Sequence, residues 1–408
     1  MSQSEEITST EVAHEASSGP ASDGEVVMGS LLAVSHRLAP DEVVPTVIAH
    51  MAALGMTEVG VYVVDLDQRL LVPCAPSRGE PLAIDSTSPG RAFRTQQVVV
   101  EPAPTGEGTR LWVPMIDGSD RVGVLCTTVA VADDRTVARA KHIASLTAGL
   151  VVAKSVFGDN LVLSRRLRDM DLAAEMRWSM LPPLTFTNDR VAIAGVLEPA
   201  YEIAGDAFDY AVNGDVAHVA IVDAMGHGLE ASRMANLAVG SYRHCRRRGL
   251  DLVATFSNMD EVIGQQFGAE KFITGQLVRL DLTNGELTWV NAGHPRPLQC
   301  RNGEPSDDLH CETSLPLGLG SVPAEVAHVT LQPGDSVLFM TDGVIEARSP
   351  DGAFFGRSRL ARLWGEAAAE GELPAEILRR LCHSILDHQQ GRLQDDATLL
   401  LLVWAGPH

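Results

Sequence analysis

The sequence predicts an α+β protein built from two globular parts, and three observations carry that prediction. The chain has 408 residues, more than one ordinary hydrophobic core organises. Apolar residues at helical spacing alternate along it with short β-branched runs. In the C-terminal half, three apolar runs of strand length each abut an aspartate: Val216–Val222 before Asp223, Val337–Met340 before Asp342, and Leu399–Val403 after Asp395-Asp396.

Residues 1–27 predict a disordered acidic tail. They are rich in Ser, Glu, Thr and Ala and hold no Lys or Arg before Val26. Residues 28–155 predict a first domain. Leu31–Leu38 and Val43–Leu54 read as helices, with Val44, Val47, Ile48 and Met51 at helical spacing. Val59–Val64 and Arg69–Val72 read as strands joined at Asp65-Leu66-Asp67-Gln68. Leu111–Met115 and Arg121–Thr127 form a second pair, and Val137–Val152 a closing helix. This small α/β sandwich resembles a GAF domain, a ligand- or partner-sensing fold. The resemblance lies in Gly60-Val61-Tyr62-Val63-Val64-Asp65, Ser88-Pro89-Gly90-Arg91-Ala92-Phe93, Leu111-Trp112-Val113-Pro114-Met115 and Gly123-Val124-Leu125.

Residues 156–182 predict one linker helix ended by Pro182-Pro183. Leu163, Leu167, Met170, Ala174, Trp178 and Leu181 follow near-heptad spacing. A parallel dimeric coiled coil is one reading of this seam, and a helix packed on its own domain is the other. Residues 187–405 predict the catalytic part. Leu252, Phe256, Met259, Ile263 and Phe267 line one helix face, and Phe272–Leu282 and Glu286–Val290 flank Asn284-Gly285 as a hairpin.

Composition limits the function. A net charge of −21 argues against nucleic-acid binding, which needs a basic surface; it suits a protein that holds cations, although simple solubility is the blander reading of the charge alone. The six cysteines, at 74, 126, 245, 300, 311 and 382, form no CxxC pair and read as free thiols. No signal-peptide pattern opens the sequence, and no apolar run reaches the roughly 18 residues of a membrane span, so a cytoplasmic protein without membrane contact is expected.

Four aspartate-bearing segments stand out: Glu202–Tyr210, Val219–Gly228, Val337–Gly343 and Gln394–Thr398. A single Asp-Gly is usually a turn. If the four converge, they require cations, because two carboxylates about 4 Å apart repel by roughly 4 kcal/mol at an effective dielectric of 20. Oxygen-only ligands select hard ions.

The segments Ala204-Gly205-Asp206, Asp223-Ala224-Met225-Gly226-His227-Gly228, Asn291-Ala292-Gly293-His294-Pro295, Thr341-Asp342-Gly343-Val344-Ile345-Glu346 and Asp395-Asp396-Ala397-Thr398 resemble, in that order, the PPM family of metal-dependent protein phosphatases, in its SpoIIE-like (RsbU-like) branch. Ala174 to Pro183 resembles the helix that precedes the domain in that branch. The resemblance implies an α-β-β-α sandwich holding two Mn²⁺ or Mg²⁺ ions. Asp206, Asp223, the Ala224 carbonyl, Asp342 and Asp395 are the implied metal ligands, with Asp396 and Asp209 as supporting carboxylates. Ala204 stands where the branch usually has glycine, and Ala224 where many relatives have another small residue; neither change removes a ligand.

The implied reaction is hydrolysis of phosphoserine or phosphothreonine by metal-activated water. No cysteine sits in a CxxxxxR loop that would support covalent chemistry. His227 is the candidate general acid; alternatively it only completes a Gly-His-Gly turn. His294 reads as a structural histidine. The implied substrate is a phosphorylated regulatory protein of the anti-sigma-factor-antagonist (STAS) type, with the GAF-like domain gating turnover through the linker helix. The competing class is an inactive adaptor that binds phosphoproteins.

Overall fold

The computed structural model describes residues 23–407, apart from 78, 203, 204, 269, 307, 308, 321–323 and 392. The predicted tail over residues 1–22 and the Ala204 position therefore lie outside the described residues. Where the tail prediction meets described residues, the structure corrects it. Helix α1 spans Asp23–Ser35, beginning inside the segment assigned to the tail, because Leu31 is fully buried in the first domain's core and anchors the helix there.

In the first domain, α2 spans Val43–Ala52, β1 Thr57–Val64, β2 Leu70–Pro73, β3 Leu82–Ala83, α3 Ser88–Thr95, β4 Val99–Pro102, β5 Thr109–Asp117, β6 Asp120–Val129 and α4 Asp134–Ser155. The strands form one antiparallel sheet in the order β3-β2-β1-β6-β5-β4. One face packs on α1, α2 and α4 through residues such as Val47, Met51, Leu111, Leu125 and Ile143. The other face carries α3 through Ala92 and Phe93. Helix starts follow local chemistry: Asp133 accepts the Thr136 N–H and Thr87 the Gly90 N–H, each satisfying a donor the helix leaves free.

The predicted single helix over 156–182 does not form. The chain makes a short α5, Asn160–Ser164, and a separate α6, Leu172–Met180. Local bonds explain the break. Asp171 caps α6 by accepting the Ala174 N–H, and its own N–H donates to the Tyr201 carbonyl. Leu167 N–H donates to the Tyr201 hydroxyl, and the Arg165 guanidinium donates to the Val64 carbonyl. These contacts to both domains outweigh the few tenths of a kcal/mol per residue that helix propensity offers. Leu163 and Leu167 of the predicted seam are exposed and share no helix with Ala174 and Trp178, so the chain presents no continuous coiled-coil face.

The second domain contains β7 (Thr185–Thr187), β8 (Val191–Glu198), β9 (Asp206–Asn213), β10 (Val216–Ala224), α7 (Gly228–Arg247), α8 (Leu252–Phe267), β11 (Ile273–Asp281) and β12 (Glu286–Ala292). There follow β13 (Leu298–Arg301), β14 (Glu304–Ser306), β15 (Thr313–Ser314), β16 (Ala327–Thr330), β17 (Ser336–Met340), α9 (Asp342–Ile345), α10 (Arg357–Ala369), α11 (Pro374–His388) and β18 (Ala397–Trp404). One sheet runs β15-β12-β11-β10-β9 with β16 also on β12; the other runs β14-β13-β17-β18-β8-β7. Their inner faces meet in a core that includes Ile193, Phe208, Ile221, Val278, Trp289, Phe339 and Leu400. Helices α7 and α8 cover one outer face and α10 and α11 the other, giving the α-β-β-α sandwich. The strand alternation explains this: Val219 and Ile221 face the partner sheet while Ala220 and Val222 face the helices.

The domains meet through a buried charge cluster. Arg121 of β6 pairs with Glu376 of α11 at 2.8 Å, with both side chains 4% exposed. Glu376 also pairs with Arg379 at 2.8 Å, and Arg379 reaches Asp85 of the first domain at 2.5 Å. Arg121 further donates to Gln68 Oε1 and to the Ala375 carbonyl. Burial opposes ionisation of Glu376, but the adjacent Arg379 and Arg121 overcome it and hold its carboxyl below the usual range.

Beside this cluster a cavity of about 940 Å³ separates the domains, lined in part by Asp67, Arg69, Arg168 and Glu198. Burial, reinforced by the Asp67 charge, pushes the Glu198 carboxyl up to about 8. A folded-state value raised above the unfolded one favours folding at low pH, and that contribution is lost as pH rises towards 8. Glu198→Gln should therefore gain thermal stability over the native chain at pH 8, with the gain shrinking towards pH 5. A pH-independent difference in melting temperature would show that Glu198 is ionised in the folded protein.

Candidate active site

The site forms where the two sheets bring acidic strand ends together. β9 and β10 are antiparallel and register Asp206 directly against Asp223. In the facing sheet, β17 leads through Thr341 into Asp342 at the first turn of α9, and Asp395-Asp396 precede β18. β17 pairs with β18, which brings the last two acidic segments together. Asp206 is 2% exposed, and its carboxylate accepts the Thr341 hydroxyl at 2.8 Å. Thr341 Oγ1 in turn accepts the Thr398 N–H at 3.0 Å, so the two sheets are stitched at the site. The Asp396 carboxylate accepts the Gly205 N–H at 2.7 Å and faces Arg177 of α6 at 3.6 Å. Asp395 Oδ1 accepts the Asp396 N–H at 2.9 Å.

Close backbone approach sets this geometry. A side chain at Gly343 would place its first carbon 1.8 Å from the Asp396 carbonyl oxygen. Gly343→Ala should lower stability by about 1–3 kcal/mol, read by urea unfolding, because the Asp342 and Asp395 segments must separate. A stability equal to the native chain would mean the two segments are not in contact. Gly226, after Ala224 and Met225, has a φ of 93°, which only glycine adopts freely.

The carboxylates crowd one another. Burial, then the charges of Asp223 and Asp396, raise the Asp206 carboxyl well above its usual range. Burial, then Asp342, Asp395 and Asp396, push Asp223 up to about 7. Burial, Asp395 and Glu346 raise Asp342. Asp396 is raised by burial although Arg177 pulls the other way. These groups therefore seek either protons or cations. Among the described residues, no three His, Cys, Asp or Glu side chains are already placed to hold a metal ion. What stands at these strand ends is an open set of carboxylates, all hard oxygen donors, whose excess negative charge fits divalent Mg²⁺ or Mn²⁺.

The remaining predicted residues take different places. Ala224 ends β10, buried, and its N–H donates to the Gly205 carbonyl. His227 is the exposed N-cap residue of α7, and its side chain makes no capping bond. His294 is 4% exposed; its Nδ1 bonds Thr274 Oγ1 at 2.8 Å, and burial holds the ring neutral with its pKa lowered to about 3. Asp209 does not support the cluster. It is buried against Arg243 at 2.7 Å and Arg246 at 2.6 Å and fastens α7 to β9. Arg246, in the last turn of α7 where its charge also meets the helix dipole, is thus an internal ion-pair partner.

Thr341, Thr398 and Arg177 were not singled out from the sequence. Arg177 had a signal: a cation inside the largely apolar helix Leu172–Met180. It is 2% exposed and donates to the Pro199 carbonyl as well as facing Asp396.

Residues 213–405 match the family Stage II sporulation protein E (SpoIIE). The chain is 24% identical over 236 residues to phosphoserine phosphatase RsbU of Bacillus subtilis, covering 57% of this chain and 69% of that protein. It is 24% identical over 185 residues to phosphoserine phosphatase RsbP of the same organism, covering 44% of this chain and 45% of that one. Among solved structures, the RsbU and RsbW domains of a Mycobacterium tuberculosis protein align at 28% identity with a TM-score of 0.46, covering 54% of this chain and 61% of that one. Among the described residues, no helix is long and apolar enough to cross a membrane.

Proposed function

We propose that this chain, whose residues 213–405 are a PP2C-type phosphatase domain of the SpoIIE family, hydrolyses phosphoserine and phosphothreonine on a regulatory protein with the help of divalent cations. The carrying observation is the opposition of Asp206 and Asp223 across β9 and β10, with Asp342 and Asp395 brought up by the facing sheet. Asp206, Asp223, the Ala224 carbonyl, Asp342 and Asp395 would hold a pair of Mn²⁺ or Mg²⁺ ions. Bound there, such ions supply activated water and neutralise phosphoryl charge.

The chain's own residues prepare the site. The Thr341 hydroxyl orients Asp206, and Asp396 fixes the Gly205–Asp206 backbone. Arg177 offsets the Asp396 charge, so the other carboxylates are left to bind cations. His227, exposed beside the Asp223 segment, is the candidate proton donor to the departing serine oxygen.

The similarity to proteins named phosphoserine phosphatases supports a phosphoserine substrate, and we favour a phosphorylated anti-sigma-factor antagonist of the STAS kind. The first domain, which we read as GAF-like, acts as the control element. Its route to the site is the packed interface, not a continuous linker helix. α11 is held by Arg121 and Asp85 of the first domain, packs on β8 and β18, and leads into the loop carrying Asp395. The test is manganese-dependent phosphate release from p-nitrophenyl phosphate and from a phosphoserine peptide. Binding of the phosphopeptide without release would favour the adaptor reading.

A further inference from the structure

The carboxylate cluster opens on one side into a cleft of about 400 Å³. Its walls are Thr274 of β11, the turn Gly293 to Arg296, Asp342, Ile345 and Glu346 of the α9 region, and Arg357 at the start of α10. Thr274 is the register partner of Asp223 and Asp342 lies in the wall itself, so the cleft continues directly from the proposed reaction site. It is too large for a phosphoryl group alone and falls in the size range that takes most of a small ligand or a short chain segment.

Its charge is divided. Asp342 and Glu346, one helical turn apart, make one wall acidic. The other carries Arg296 and Arg357, and the Arg357 guanidinium donates to the Arg296 carbonyl at 2.6 Å and to the Pro297 carbonyl at 3.4 Å. Arg357 thereby braces the turn that presents Arg296. Arg296 is exposed and forms no ion pair with a carboxylate among the described residues; its guanidinium lies 2.9 Å from the His310 ring nitrogen. The neighbouring His294 is neutral and adds no competing cation. A guanidinium presented at a cleft mouth recognises carboxylates by paired, charge-assisted hydrogen bonds.

We infer that this cleft is a specificity subsite, in which Arg296, positioned by Arg357, binds an acidic side chain next to the phosphoserine of the substrate. The inference rests on the phosphatase reading. The experiment compares kcat/KM of the full-length protein, with manganese, on matched phosphoserine peptides whose flanking residues are acidic, neutral or basic. p-Nitrophenyl phosphate serves as the activity control. The native chain should prefer the acidic peptide over the neutral one by about tenfold or more. Arg296→Ala should bring that ratio close to one, Arg296→Lys should retain part of it, and Arg296→Glu should turn the preference towards the basic peptide. A native enzyme that hydrolyses all three peptides equally overturns the subsite while leaving the phosphatase reading intact, as does an Arg296→Glu preference unchanged from the native one. No manganese-dependent release from any substrate, p-nitrophenyl phosphate included, overturns the underlying reading itself.

Discussion

Asp206→Asn is expected to abolish manganese-dependent phosphate release, by at least about a thousandfold, while making the metal-free protein more stable. The two effects share one cause. Asp206 is buried, faces Asp223 across two strands and feels Asp396, so without cations it is held well above its usual ionisation range. As pH rises, the unfolded chain ionises this group more readily than the folded chain does, so folding bears the cost, and asparagine removes it. The variant should melt a few degrees higher than the native chain in a chelator at pH 8, with the gap closing towards pH 5. Manganese should then raise the melting temperature of the native chain and leave Asp206→Asn nearly unchanged. Because both proteins are compared by melting as well as by turnover, a misfolded variant cannot pass for a catalytic one. Equal manganese responses in the two would end the case for a metal site at this edge of the sandwich.

The second large effect is expected at the domain interface. Glu376→Ala leaves Arg121 and Arg379, both nearly fully buried, without their shared carboxylate. Removing one partner of such a group typically costs about 3–5 kcal/mol, because the remaining charges cannot be rehydrated in place. The loss should appear as separate unfolding of the two domains and faster proteolysis between residues 156 and 172, where the chain passes between them. Arg121→Met with Glu376→Met should cost less than the sum of the single changes, since it removes opposite charges together. If the first domain controls turnover through α11, Glu376→Ala also shifts phosphatase activity measured on the phosphoserine peptide. Unchanged activity in a variant whose domains have demonstrably separated would exclude this interface as the control route.

Much of the fold was legible because local patterns there agree with the global structure. The predicted strand Val59–Val64 falls within β1, the predicted helix over Leu252–Phe267 coincides with α8, and the hairpin around Asn284-Gly285 joins β11 to β12. These segments show clear periodicity of 2 or 3.6 and are bounded by turn residues. The seam from Leu163 to Leu181 misled for an identifiable reason. Heptad spacing records only where apolar side chains could align, whereas Asp171, Tyr201 and Arg165 offer the backbone stronger bonds in a broken conformation. Asp209 misled in the same way: its motif context pointed to the cluster, but two arginines on α7, more than thirty positions later in the chain, claim it.

By itself, the sequence determined the α+β class, elements with clear periodicity such as β1, α8 and the β11–β12 hairpin, and the aspartates that stand at strand ends. Those are properties of neighbouring residues, and periodicity and turn chemistry record them. Only the tertiary structure decided that Asp206 faces Asp223, that Thr341 and Arg177 serve the carboxylates, and that α11 is gripped by the first domain. Each of these depends on side chains far apart in the chain meeting in a low-dielectric interior, where a buried charge must find its partner at whatever sequence distance the packing provides.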